Sequence, residues 1–254
     1  MKSWITLNGA SRSPKFRLFC FHHAGGNSQA FRNWHEELPA SVQVGTIELP
    51  GHGLRFSERL LDRWQPVVSG IAEHLVPLLD LPYVFFGHSM GALLAFETAR
   101  ALQRAGLSKP RALLVSGRGA PHCPRKRPPI HALPEAEFLQ SLREYKGCPP
   151  EVLESRELLD LFVPILRADF AIGETYSFSS GGLLDVPVRV LIGRDDEMVD
   201  ADGLARWSEV TLADTTQHVF PGGHFYVQAE RHHILRLVVR ALTGESERLD
   251  VAGQ

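Results

Sequence analysis

The feature that most constrains this chain is a pentapeptide, Gly87-His88-Ser89-Met90-Gly91, set between two runs of different period. Before it stands Tyr83-Val84-Phe85-Phe86, β-branched and aromatic, which reads as a buried strand. After it, the run from Ala92 to Leu102 places Ala95, Thr98, Ala99 and Leu102 at helical spacing. The pentapeptide therefore occupies a strand-to-helix turn, the context in which Gly-x-Ser-x-Gly forms a nucleophile elbow. So sharp a turn strains the serine backbone, and side chains at Gly87 and Gly91 would collide with the adjoining strand and helix. The Ser89 hydroxyl is expected at the top of a sheet, beside the positive end of a helix. A glycine-rich turn with an idle serine is the plain alternative, and the flanking strand and helix argue against it.

The 254 residues suffice for one α/β domain with an inserted lid. A formal net charge of -2 argues against a nucleic-acid binder, which usually carries a basic excess. The three cysteines, Cys20, Cys123 and Cys148, are odd in number and form no C-x-x-C pair, so neither a disulfide framework nor a zinc site is indicated. Cys20 sits in an apolar strand run and reads as a core filler. The N-terminal residues lack the apolar stretch of a signal peptide, and no run is long enough to span a membrane. A cytoplasmic enzyme is the default, with no membrane or nucleic-acid partner and a monomeric state expected.

Along the chain, Arg17–Phe21 reads as a strand ending in His22-His23-Ala24-Gly25-Gly26. Phe31, Trp34 and Leu38 mark a short amphipathic helix closed by Pro39. Val42–Ile47 is the next strand and runs into Leu49-Pro50-Gly51-His52-Gly53, a turn rich in breakers. Val68, Ile71, Ala72, Leu75 and Leu79 give a helical stripe. Ala112–Ser116, Val188–Ile192 and His218–Phe220 read as later strands, and Ile234, Leu235, Leu237, Val238 and Leu242 as a terminal helix. This alternation predicts a mostly parallel, doubly wound sheet with helices on both faces, of the α/β-hydrolase kind. From about Pro121 to Gly182 the alternation stops. A proline-rich basic linker is followed by helical segments near Glu135–Tyr145, Glu151–Leu159 and Leu161–Glu174. This stretch reads as a helical cap inserted into a single domain spanning residues 1–254.

A serine nucleophile needs a base and a group that orients the base, and in this architecture the order is serine, acid, histidine. The turn Gly193-Arg194-Asp195-Asp196 offers two acids. The acid usually lies three residues after the glycine, which selects Asp196 and leaves Asp195 as a solvated turn residue. Phe220-Pro221-Gly222-Gly223-His224 supplies His224 as base. His88 is expected to pack beside the nucleophile, and His22, His23 and His52 to line the cleft mouth. A metal site from those three is rejected for want of a positioned acidic or cysteine partner. The oxyanion hole needs two backbone donors. Met90, after the nucleophile, is one, and Ala24, on the loop after the early strand, is the choice for the other.

With these residues in hand, the chain resembles the type II thioesterases that accompany nonribosomal peptide synthetases and polyketide synthases. The resemblance rests on Phe21-His22-His23-Ala24-Gly25-Gly26, Leu49-Pro50-Gly51-His52-Gly53, the elbow, the Gly193–Asp196 turn and Gly222-Gly223-His224-Phe225, in that order. It extends to Leu166-Arg167-Ala168-Asp169-Phe170 in the cap. One departure is His22, where the family usually has proline. The resemblance implies hydrolysis of acyl groups from the phosphopantetheine arm of carrier proteins, clearing stalled or mis-primed chains, with small acyl thioesters as further substrates. No cofactor or metal is implied, because phosphopantetheine belongs to the substrate. Medium-chain fatty acyl thioesterases share much of the pattern. Another serine esterase or acyltransferase could use the same triad, and a non-catalytic carrier-protein interaction module could keep the same fold. The basic run Arg125-Lys126-Arg127 is either a solvated loop or a contact for an acidic carrier domain.

Overall fold

A computed structural model describes residues 3–9, 13–125, 127–145 and 153–245. Lys126, Cys148 and Glu151, where one of the expected helices begins, lie outside the described residues. Seven strands form one sheet: β1 (Ile5–Asn8), β2 (Phe16–Phe21), β3 (Val42–Ile47), β4 (Tyr83–His88), β5 (Leu113–Ser116), β6 (Val188–Gly193) and β7 (Thr215–Phe220), in the spatial order β1-β3-β2-β4-β5-β6-β7. All neighbours pair in parallel except β1, which runs antiparallel to β3 along the edge.

The strands are apolar throughout because both faces are covered. Successive side chains point to opposite faces. On β4, Tyr83 and Phe85 enter one core with Val67, Ile71 and Leu75 of helix α1 (Trp64–Leu75) and Leu94 and Ala95 of α2 (Met90–Arg104). Val84 and Phe86 enter the other core, with Ile234, Leu235 and Val238 of the terminal helix (Arg231–Thr243). The same alternation splits Phe19 and Phe21 from Leu18 and Cys20 on β2. Cys20 is buried in that second core, as a filler.

Three expectations need correction. The helix expected around Phe31–Leu38 is a pair of 3-10 turns, Ser28–Phe31 and Trp34–Glu36. Phe31 and Trp34 still bury their rings, edge to face at 4.9 Å, so the apolar spacing reported packing rather than α-helix. The break expected near residue 160 is absent, and Arg156–Glu174 forms one helix of 19 residues. Asp160 pairs with Arg156 one turn back at 2.9 Å, and the buried Leu159, Val163 and Leu166 continue the stripe across it. The antiparallel β1 stands outside the expected alternation: Ile5-Thr6-Leu7-Asn8 is half polar and lacks the continuous apolar run of the equally short β5.

Between β5 and β6 the described residues contain no strand. They hold α3 (Glu135–Tyr145) and the Arg156–Glu174 helix, called α4 here. This insertion has its own small core of Ile130, Phe138, Leu142, Leu159, Val163 and Leu166. No helix among the described residues is long and apolar enough to cross a membrane. Phe138 is fully buried in the insertion core, with the Arg167 guanidinium 4.3 Å above its ring. Phe138→Ala should cost about 3–5 kcal/mol there. Limited proteolysis should then cut the insertion faster while the sheet core resists. Whole-chain cleavage at a single rate would show that the two cores open together.

Candidate active site

The turn from β4 into α2 is held by close backbone contacts. A Cβ on Gly91 would lie 2.1 Å from the Phe21 carbonyl oxygen, and one on Gly87 would lie 2.3 Å from the Gly91 carbonyl oxygen. Both obstacles are main chain and cannot rotate away. Ser89 between them has φ 54 and ψ -113. It is the one non-glycine residue with positive φ among the described residues, a conformation that costs about 1–3 kcal/mol. Its N–H donates to the Ser116 carbonyl on β5 at 2.8 Å. Ser89 lines a cavity of about 460 Å³, and Ala24, Met90 and His224 line the same cavity.

The acid and base come from the ends of β6 and β7. Asp196 is buried and Asp195 is exposed. The Asp196 N–H donates to the Gly193 carbonyl at 3.1 Å, and its Oδ1 accepts the Met198 N–H at 2.9 Å. Its Oδ2 lies 2.8 Å from His224 Nδ1. An ionised carboxylate can only accept, so Nδ1 carries the proton and Nε2 keeps its lone pair. Of the two candidate acids, the structure brings Asp196 to the histidine.

Three neighbouring imidazoles are held neutral. Burial pushes His88 well below the usual histidine range, and the nearby His224 and His23 act the same way. Burial takes His23 to about 4, assisted by His224, and His22 to about 3, assisted by His52. His88 packs against the base at 4.9 Å between ring centres, and its Nδ1 lies 2.9 Å from the Ser116 hydroxyl. A proton arriving on His224 therefore meets no permanent positive charge on these rings.

The expected oxyanion donors, Ala24 and Met90, both line the cavity. Met90 opens α2, so its N–H has no intrahelical acceptor. The Ala24 N–H has no partner among the described residues. The next N–H, that of Gly25, is already committed to Asp169 Oδ2 at 2.7 Å. That carboxylate belongs to α4 in the insertion. It also meets His52 Nε2 at 3.0 Å, while His52 Nδ1 lies 3.0 Å from the Pro50 carbonyl. Burial opposes charge on His52, but the Asp169 charge and hydrogen bond outweigh it and raise the pKa above its usual value.

His22 and His52 are consequently buried, not at the cleft mouth as expected, and their rings lie 5.1 Å apart. The acidic partner that the sequence did not place is Asp169, 117 residues beyond His52. No local spacing could connect two such distant positions. The one available signal was an Asp inside an otherwise apolar helical stripe. Among the described residues no group of three or more His, Cys, Asp and Glu side chains is arranged to hold a metal ion.

Asp169 thus ties the insertion to the loop that carries Ala24, the expected oxyanion donor. Asp169→Ala leaves a loop N–H and His52 without their shared acceptor. It should lower kcat by about tenfold to a hundredfold, with a smaller change in KM, because a displaced donor is felt in the transition state. Steady-state kinetics on a folded variant checks this, and an unchanged kcat would remove Asp169 from the positioning of the loop.

Comparison with known proteins agrees with this geometry. The family model described as thioesterase domain matches residues 16–242. The gramicidin S biosynthesis protein GrsT of Aneurinibacillus migulanus is 34% identical over 242 residues, covering 95% of this chain and 94% of its own. The medium-chain S-acyl fatty acid synthase thioesterase of Rattus norvegicus is 30% identical over 228 residues, covering 87% and 86%. Among solved structures, the type II thioesterase BorB from the borrelidin biosynthetic cluster superposes with a TM-score of 0.84 at 32% identity, covering 96% of this chain and 97% of its own. With its sheet order, its elbow and its paired acid and base, the chain is an α/β-hydrolase that belongs to the thioesterase domain family.

Proposed function

We propose that this protein hydrolyses acyl thioesters held on the phosphopantetheine arm of carrier proteins, clearing stalled or mis-primed groups from a nonribosomal peptide or polyketide synthase. The observation that carries the reading is the buried Asp196–His224 pair lining the same cavity as the strained Ser89. A type II thioesterase from the yersiniabactin nonribosomal peptide and polyketide pathway, 30% identical with a TM-score of 0.84, supports the substrate class. Two free thiols among the described residues, Cys20 and Cys123, accord with a cytoplasmic setting.

The reading assigns the steps to the residues that line the cavity. Ser89 Oγ attacks the thioester carbon while His224 Nε2 takes its proton, and Asp196 stabilises the imidazolium through Nδ1–H. The Ala24 and Met90 N–H groups receive the negative charge that develops on the carbonyl oxygen. The C–S bond breaks, the proton passes from His224 to the departing sulfur, and an acyl-serine remains. Water enters, gives a proton to His224 and attacks the acyl carbon. The proton returns to Ser89 Oγ as the acid leaves.

Ser89→Ala should abolish turnover in a folded protein, since loss of the nucleophile costs orders of magnitude. Asp196→Asn should lower kcat far more than Asp195→Asn, because Asp195 is exposed. Wild-type protein should favour acyl-pantetheine thioesters over matched oxygen esters. Near-normal turnover by Ser89→Ala, or a reversed order of the two Asn variants, contradicts the assignment.

The basic run bears on the carrier partner. Arg125 lies 3.8 Å from the buried carboxylate of Glu174, and Arg127 stands 4.9 Å over the Tyr145 ring, so neither is simply solvated. Both line the cavity and remain exposed, as a surface that meets an acidic domain requires. The double change Arg125→Ser, Arg127→Ser should lower kcat/KM on acyl-carrier proteins more than on acyl-N-acetylcysteamine thioesters, and salt should narrow the difference. Equal losses would assign the pair to packing of the insertion instead.

A further inference from the structure

Accepting the thioesterase reading, on which this rests, we infer that the cavity takes acyl chains that carry a hydrogen-bond-accepting oxygen, and that Arg118 is the side chain that reads it. Arg118 follows the end of β5 by two residues. The Ser116 carbonyl at that end accepts the Ser89 N–H at 2.8 Å. Two residues span at most about 7 Å, so the Arg118 backbone is a near neighbour of the nucleophile. Its side chain lines the same cavity as Ser89 and His224.

The guanidinium reaches α4. A Cβ built on Gly173 would stand 3.8 Å from Arg118 Nη1, and Gly173 itself lines the cavity. Glycine within a helix costs about 0.5–1 kcal/mol relative to alanine. Here it leaves space beside the charge.

Two arginines buried more deeply than the half-buried Arg118 have partners. Arg100 donates to Glu97 at 2.8 Å and to the Ser179 carbonyl at 2.6 Å, and Arg55 donates to Glu58. The Arg118 carbonyl accepts the Trp207 indole N–H at 2.8 Å, but its side chain has no hydrogen bond or ion pair among the described residues, and its Nε is buried without a partner. The carboxylates of Glu97, Glu174 and Asp169 hold other groups and none pairs with Arg118, although Glu97 Oε2 and Asp169 Oδ1 are themselves buried without a partner among the described residues. Glu97 accepts from Arg100 and the Tyr176 hydroxyl, Glu174 accepts from the Ile130 and His131 N–H groups, and Asp169 holds Gly25 and His52. Burial brings the Arg118 pKa down to about 10, with Tyr176 opposing and Arg125 adding to the fall, so the group is still charged at neutral pH.

A plain hydrocarbon chain laid against this group would exclude water from it and return nothing, which is expensive for a charge. A keto, hydroxyl, amide or carboxylate oxygen on the chain returns a charge-assisted hydrogen bond. The phosphate of the pantetheine arm is the other available anion, but two amide-linked units separate it from the sulfur that Ser89 releases. The guanidinium stands against Gly173 of α4 in the cavity that Ser89 also lines, and the inference places the oxygen it meets on the acyl side.

The test compares pentanoyl-, 4-oxopentanoyl- and succinyl-N-acetylcysteamine, which lack the phosphate and match closely in chain length. Wild-type kcat/KM should favour the two oxygenated chains over pentanoyl by about tenfold or more. In Arg118→Met, which keeps the apolar stem and removes the donors, that ratio should collapse toward one. Arg118→Lys should restore part of it. Equal wild-type rates on the three thioesters overturn the inference without any variant, as does a preference that survives in Arg118→Met. Loss confined to phosphopantetheine thioesters in Arg118→Met would assign the side chain to the arm and also overturn it. Wild-type protein inactive on every thioester would contradict the thioesterase reading itself, and the inference with it.

Discussion

The close approach of three backbone segments at the elbow governs the rest of the structure. Phe21 at the end of β2 and the Gly87–Ala92 turn are so near that Cβ atoms at Gly87 and Gly91 would overlap main-chain atoms. That contact forces Ser89 into a conformation that a non-glycine residue adopts only under constraint. Packing supplies the constraint: β4 lies between β2 and β5 with both faces covered, so the strain of about 1–3 kcal/mol is small beside the burial that opposes relaxation. In return, the nucleophile, the first N–H of α2 and the loop after β2 face one cavity.

The second dependence is polar. A carboxylate from the inserted helices, Asp169, is buried against a catalytic-core histidine and a loop N–H. Removing one partner of such a buried pair leaves the other uncompensated, which makes the contact specific about where α4 must lie. The neutral state of His22, His23 and His88 fits the same logic, since burial without an acidic partner removes the charge. His52 differs because Asp169 hydrogen-bonds it, whereas the same charge acts on His22 and His23 without a hydrogen bond and does not outweigh their burial.

Much of this was legible in the sequence where information is local. The elbow, the strands that feed it and the Gly-Gly-His loop are short motifs whose residue types follow from backbone geometry, so the strained turn at Ser89 and the loop that holds His224 could be placed before the fold was seen. Asp196 over Asp195 needed only the register of one turn. What escaped depended on distance along the chain. The Asp169–His52 contact joins α4 to the turn after β3, and the unpartnered state of Arg118 is a property of what surrounds it in space. The β1 strand escaped because its four residues are half polar, without the continuous apolar run that marks the equally short β5. The boundary expected near residue 160 was misplaced because the helix starts at Arg156, capped by the Ser155 side chain, and its apolar stripe runs on past Asp160.

The central claim is that Ser89 is the activated nucleophile for thioester cleavage. Labelling with a fluorophosphonate, followed by intact-protein mass and peptide mapping, tests it most directly. The account predicts one adduct, on the peptide that contains Ser89, formed more slowly when an acyl-pantetheine thioester is present. An adduct on a different residue, or a protein that resists labelling yet still hydrolyses the thioester, would contradict it.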